Sequence, residues 1–297
     1  LLVSTAGISD DNFMNGSYQF NVAGNPNASI VNNGSITVAD AGVASLVAPV
    51  VRNNGVIQAK LGTVNLASGD TFAVDMYGDG LLSVEASAAL QQQLVSNSGQ
   101  IEANGGSVLL TAAAAGDMVD SLINMDGIIR ANSIGEKNGT VVLYAEGSNA
   151  VAGNNASDKG QKQGISTTLV TGTIEAKGNV TGETGGNIDV LADHVGVMSG
   201  ASLDASGMNG GGKIRIGGDY FGGGDTPTAL KTLVQRNTSI KANALENGDG
   251  GRITLWSDDT TWFGGAIEAK GGAFSGNGGF VETSGKEFLA FRGTVDT

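Results

Sequence analysis

No cysteine occurs anywhere in the chain. Disulfides therefore contribute nothing, and thiolate zinc sites are excluded. Aromatic residues make up only 5% of the 297 positions. A core built from large rings is out of reach, which leaves a narrow core of Val, Ile, Leu and Ala. Basic residues are scarce too: 29 acids face 16 bases, for a net charge of −13. Such a field repels nucleic acid and anionic membrane surfaces, so no nucleic-acid partner is expected. Long apolar runs are missing: Leu1–Val3 and Leu90–Val95 are far too short to span a bilayer. No signal peptide is legible. The chain starts at Leu1 and ends inside a repeat after Phe288-Leu289-Ala290-Phe291, and is read as an internal piece of a longer protein.

What the chain has in quantity is glycine, 49 residues, and a two-part pattern that recurs eight times. The first part is Ile-x-Ala, centred on Ile57, Ile101, Ile129, Ile174, Leu203, Ile240 and Ile267, with Ile36-Thr37-Val38 as a variant. The second is Gly-x-apolar-x-apolar-x-small, as in GTVNLAS from Gly62, GSVLLTA from Gly106 and GRITLWS from Gly251. Both halves alternate with period two, the mark of short strands with one buried face. Glycines ahead of them suit tight corners. A unit repeated this often is structural, and identical apolar order in each unit lets Ile stack on Ile and Ala on Ala. The expected fold is all-β, a parallel β-solenoid over residues 1–297, with the eight residues Ile36, Ile57, Ile101, Ile129, Ile174, Leu203, Ile240 and Ile267 as its central column.

Spacing refines this. Ile36 to Ile57 is 21 residues, and the 44 residues from Ile57 to Ile101 predict two coils, the hidden one including Gly80-Leu81-Leu82-Ser83-Val84. Division of the length predicts roughly ten to twelve coils. The distance from each Ile to the next Gly grows from 5 or 6 residues in the first three units to 9–12 in the last five, so variable loops gather at one corner. Residues 86–98 and 146–167 read as loop or short-helix insertions, and 219–236, which contains Pro227, as an insertion loop.

Candidate chemistry is sparse. His194 follows Asp193 without a legible partner or cleft and reads as a turn or surface histidine. Adjacent acids Asp10-Asp11 and Asp258-Asp259 point apart in a strand. Outward acids Glu102, Glu175, Asp204 and Glu268 would form a solvated ladder with Arg130 and Lys241. Gly78-Asp79-Gly80 and Gly248-Asp249-Gly250 are isolated and read as turns, with no metal or cofactor implied. No catalytic residue is assigned. Tyr220, Phe221, Trp256, Trp262 and Phe263 form the densest aromatic group, beside the 219–236 insertion. With Asp258 and Asp259 they are the candidate ligand-binding residues, by ring stacking and hydrogen bonding to a glycan or protein. The same rings would also serve to cover the core edge beneath the loop.

The runs Asn32-Asn33-Gly34-Ser35-Ile36, Leu46-Val47-Ala48-Pro49, Asn53-Asn54-Gly55-Val56-Ile57-Gln58-Ala59 and Tyr77-Gly78-Asp79-Gly80-Leu81 resemble the filamentous haemagglutinin family, at the end of its two-partner-secretion domain or just after it. HVGVMSGASLDASGMNGGGKIRIGGDYFGGG (194–224) and NGDGGRITLWSDDTTWFGGAIEAKGG (247–272) resemble repeats of the same family. The resemblance implies a right-handed parallel β-helix, export through an outer-membrane transporter partner, and a secreted or surface location on a Gram-negative-type bacterium. It also implies adhesion to a host or neighbouring cell surface. The reading is an adhesin or filament segment acting as a rigid scaffold. The alternatives are a carbohydrate-active β-helix enzyme (lyase or glycosidase) and a purely structural filament component that stacks end to end with itself.

Overall fold

A computed structural model describes residues 1–74, 82–87, 89–90, 92–113, 121–147 and 164–297. The chain winds into a right-handed parallel β-helix with three long sheets of nine strands each. One coil shows the plan. Val43–Ala48 lies in sheet I, Val50–Asn53 in sheet II and Val56–Gln58 in sheet III, and Thr63–Ser68 then returns to sheet I. Each strand pairs in parallel with its counterpart one coil away.

Period-two alternation decides what goes inside. In sheet III the residues Ile36, Ile57, Ile101, Ile129, Ile174, Leu203, Ile240, Ile267 and Val295 stand in one register column. Ile57 through Ile240 in that column are wholly buried, while Ile36 on the end coil is half-buried. The alanines two positions on, Ala59 to Ala269, form a second buried column. Val64 and Leu66 with their equivalents in sheet I complete a single core running the length of the helix.

The three corners differ. Between sheets II and III only two to four residues intervene, as at Asn54-Gly55 and Ser98-Gly99. Coils approach so closely there that a Cβ on Gly55 would collide with the carbonyl of Gly34, and one on Gly99 with that of Gly55. Between sheets III and I the connection grows from four residues (59–62, 103–106) to eleven (176–186, 269–279), which is the expanding corner legible in the sequence. Those loops stack on each other: Gly178 bridges Gly207, which bridges Ala244.

The third corner, between sheets I and II, carries excursions that spacing alone mislocated. Ile57 pairs directly with Ile101, so the 44 residues between them make one coil, and the described residues form nine coils rather than ten to twelve. Leu82–Glu85 is not a hidden coil strand. It pairs antiparallel with Thr71–Val74, which also pairs with Gln19–Phe20. This small sheet lies across the outer face of sheet I, where Phe72 and Leu82 pack on Val47 and Ala67 and Phe20 stacks on Phe72 at 4.4 Å. An antiparallel hairpin alternates just as a coil strand does, so the pattern could not separate them.

Three insertion boundaries shift because a sheet II strand falls inside each. Within 86–98, Gln93–Asn97 is a strand of sheet II. Of 146–167, residues 148–163 lie outside the described ones, and Ser166–Val170 is again a sheet II strand. Within 219–236, Lys231–Val234 belongs to sheet II, which confines the insertion to 217–230.

Candidate functional site

The 217–230 loop folds back over the outer face of sheet I in the C-terminal half of the helix. Its base is fixed by Trp256, which is buried beneath it. A side chain on Gly222 (φ +63°) would meet the indole at 2.6–2.7 Å, so the ring dictates glycine there. Trp256 donates from Nε1 to Asp258 at 3.1 Å, and the other Asp258 oxygen accepts from Thr228 at 2.7 Å. The loop and the next coil are thereby tied by one carboxylate.

Charge fixes the start of the loop. Asp219 caps a single 3₁₀ turn, Tyr220–Gly222, by accepting from the Tyr220 N–H at 2.7 Å. Its second oxygen receives Lys213 at 2.7 Å and Arg215 at 3.0 Å. Burial alone would raise the Asp219 pKa, but the hydrogen bonds from Lys213, the Tyr220 backbone and Arg215 outweigh it and hold the carboxyl at about 2. Arg215 also makes a bidentate contact with Asp189, 2.6 Å on each arm, and that pairing raises its own pKa.

Above this base sits an exposed ring cluster. Tyr220 and Phe221 are 4.3 Å apart, and Phe280 meets Tyr220 edge-on at 5.4 Å. The Arg252 guanidinium lies over both Tyr220 (5.0 Å) and Phe280 (4.8 Å). Phe221 has φ +54° and is 68% exposed, with its N–H donated to Glu282 at 3.2 Å.

The seven residues singled out from the sequence therefore do not form one group. Tyr220 and Phe221 stand on the outer face of sheet I. Trp256 and Asp258 anchor the loop. Asp259 is half-exposed and faces Lys231 at 3.9 Å. Trp262 and Phe263 are neighbours in one strand and so point oppositely. Trp262 is 43% exposed on the outer face of sheet II, in register with Leu233, while Phe263 is in the core against Phe291 at 5.2 Å. Sequence reasoning missed Arg252 and Phe280. Both follow the glycine of the second repeat half, in register one coil apart, and that outward position was the available signal.

The remaining candidates are dispersed. Glu102, Arg130, Glu175, Asp204, Lys241 and Glu268 stand in one outward register row of sheet III. Arg130 bridges Glu102 (3.4 Å) and Glu175 (2.8 Å), and Lys241 meets Glu268 at 3.4 Å. Burial opposes ionisation of Glu175, but Lys177 and Arg130 together lower its pKa. Asn243, followed by the neighbouring lysines, lowers that of Glu268. His194 is an outward strand residue of sheet II, in register with Thr167 and Lys231 rather than in a turn. Among the described residues no group of three or more His, Cys, Asp or Glu is arranged to hold a metal ion, and no helix is long and apolar enough to cross a membrane.

No family model and no curated protein matches the chain. Among solved structures it is similar to the HMW1 secretion domain from Haemophilus influenzae, at 28% identity and a TM-score of 0.79. That match covers 100% of this chain and 72% of the secretion domain, well beyond the segments 32–81 and 194–272 that carried the sequence resemblance. In fold, and along its whole length, the chain is thus a β-helix of the secretion-domain type, as its likeness to the filamentous haemagglutinin family implies.

Proposed function

We propose that the chain is the β-helical portion of a secreted, adhesin-like exoprotein, in which a rigid rod presents loops for adhesion to cells or glycans. The observation that carries this reading is the full-length match to a secretion domain, since it couples fold and sequence over all nine coils. Export would use an outer-membrane transporter partner of a Gram-negative-type bacterium, and the product would be released or kept at the surface. The architecture suits the role. Each coil contacts only its neighbours, so the rod extends without a growing globular core. Its outer faces then offer repeated weak contacts, which multivalency strengthens.

The test has two parts. The chain is produced behind a secretion signal with and without an outer-membrane transporter of the two-partner type, and its amount in the medium is measured. Transporter-dependent release is expected, and equal release in both strains overturns the export reading. Purified chain is then coated on beads and scored for attachment to epithelial and bacterial cells. Attachment above a coated globular control is expected, and its absence removes the adhesive role and leaves the scaffold.

A further inference from the structure

The ring cluster on sheet I has a feature that adhesion in general does not require. Three of the chain's fifteen aromatic residues (nine Phe, four Tyr, two Trp) converge on one outer face, two of them against a guanidinium. All three rings are exposed. The cations beside Arg252 are already neutralised: Lys213 by Asp219, and Arg215 by Asp189 and Asp219. Among the described residues Arg252 makes no ion pair, and this exposed residue lays its guanidinium against two rings.

The backbone keeps this arrangement in place. Phe221 adopts a left-handed φ of +54°, which a bulky residue rarely takes, yet its ring gains no burial from it. The conformation is held from below, by the Phe221 N–H on Glu282 and by Trp256 under Gly222. Backbone strain that leaves a large side chain exposed yet fixed in place is a feature of binding sites.

We propose that Tyr220, Phe221, Phe280 and Arg252 form a binding site for a pyranose that carries a carboxylate, an acidic sugar residue of a surface glycan. The inference rests on the adhesive reading above and names its ligand. Ring faces take the C–H face of a sugar. A planar, weakly hydrated guanidinium takes a carboxylate through two parallel hydrogen bonds. One unpaired cation at this site, on a chain of net charge −13, selects a single carboxylate and rejects a polyanion.

The experiment titrates the whole chain with the methyl glycosides of glucuronic acid and galacturonic acid, each carrying one carboxylate, and with their neutral glucose and galactose counterparts, followed by calorimetry and by NMR shifts. The variants are Arg252→Gln and Phe221→Gly, the second keeping the left-handed backbone, each checked for unchanged melting. Saturable uronate binding is expected, with neutral sugars and both variants weaker by about tenfold or more. Equal binding of neutral sugars, uronate binding unchanged in both variants, or tighter binding of an acidic aromatic peptide overturns the site. So does the absence of uronate binding by a chain that still attaches to cells, and the adhesive reading then stands. Uronate binding by a chain that attaches to no cell overturns the adhesive reading and leaves the site.

Discussion

Asn53 donates its side-chain amide to Oδ1 of Asn97 at 2.7 Å, one coil away, and accepts the amide of Asn32 at the same distance. The three residues occupy one column at the tight corner between sheets II and III, and Met125 succeeds them. Asn53 also reaches the carbonyl of Gly55 at 3.3 Å, so it serves both the ladder and its own turn. Replacing a middle member strands amides on both sides in a buried place, whereas Asn32 on the end coil is half-exposed. Asn53→Ala should cost about 2–4 kcal/mol and Asn32→Ala about 1 kcal/mol or less in urea unfolding. Equal losses would mean that the ladder makes no cooperative contribution.

The sheet III column predicts a contrast of faces. Ile174 is wholly buried between Ile129 and Leu203, while Gln58 is exposed and makes side-chain hydrogen bonds only to the neighbouring coils, to Glu102 at 3.2 Å and from Thr37 at 3.5 Å. Ile174→Asp removes core volume and places an unpaired charge there, so a loss above about 4 kcal/mol is expected. Gln58→Ala should stay within about 0.5 kcal/mol. Equal melting shifts would sink the assignment of faces.

Thr254 is wholly buried under the 217–230 loop, in register with Arg215 and Glu282, and its hydroxyl has no hydrogen-bond partner among the described residues. Thr254→Val removes a polar group that folding desolvates without compensation. It should raise stability by about 1 kcal/mol. A melting temperature lower than that of the parent would show that the hydroxyl has a partner in solution.

Asp219 predicts an acid dependence. Its folded carboxyl titrates near 2, below the unfolded value of about 3.9. A depressed pKa contributes stability that is present above the unfolded value and lost as pH falls through the folded one. Asp219→Asn should therefore destabilise the chain at pH 6, with a gap that narrows between about pH 4 and pH 2. Urea midpoints for parent and variant at pH 6 and 2.5 measure it, and a gap independent of pH would refute the assignment.

How much was legible follows from where the pattern carries its information. The Ile column was readable because every member keeps the same neighbours in sequence and the same face in space. The hairpin of Thr71–Val74 and Leu82–Glu85 was not, because alternation reports a buried face and is silent on strand direction and partner. Trp262 and Phe263 were grouped by proximity in the chain, although period two places them on opposite faces. The platform of Tyr220 with Arg252 and Phe280 joins positions 32 and 60 residues apart in sequence (252 − 220 and 280 − 220), a distance only the coil register closes. Phe221's left-handed backbone left no trace in the sequence, because the usual glycine marker is absent.

The unequal corners bear on what this molecule tolerates as cargo. Every long elaboration found among the described residues leaves the rod on the two sides that flank sheet I, and the corner represented by Asn54-Gly55 never exceeds four residues. A foreign peptide spliced into 217–230, or into a long connection such as 269–279, would hang outside the stack and be carried along. The same peptide between Asn54 and Gly55 would wedge two coils apart. The rod thus has one seam closed to insertion and two open to it.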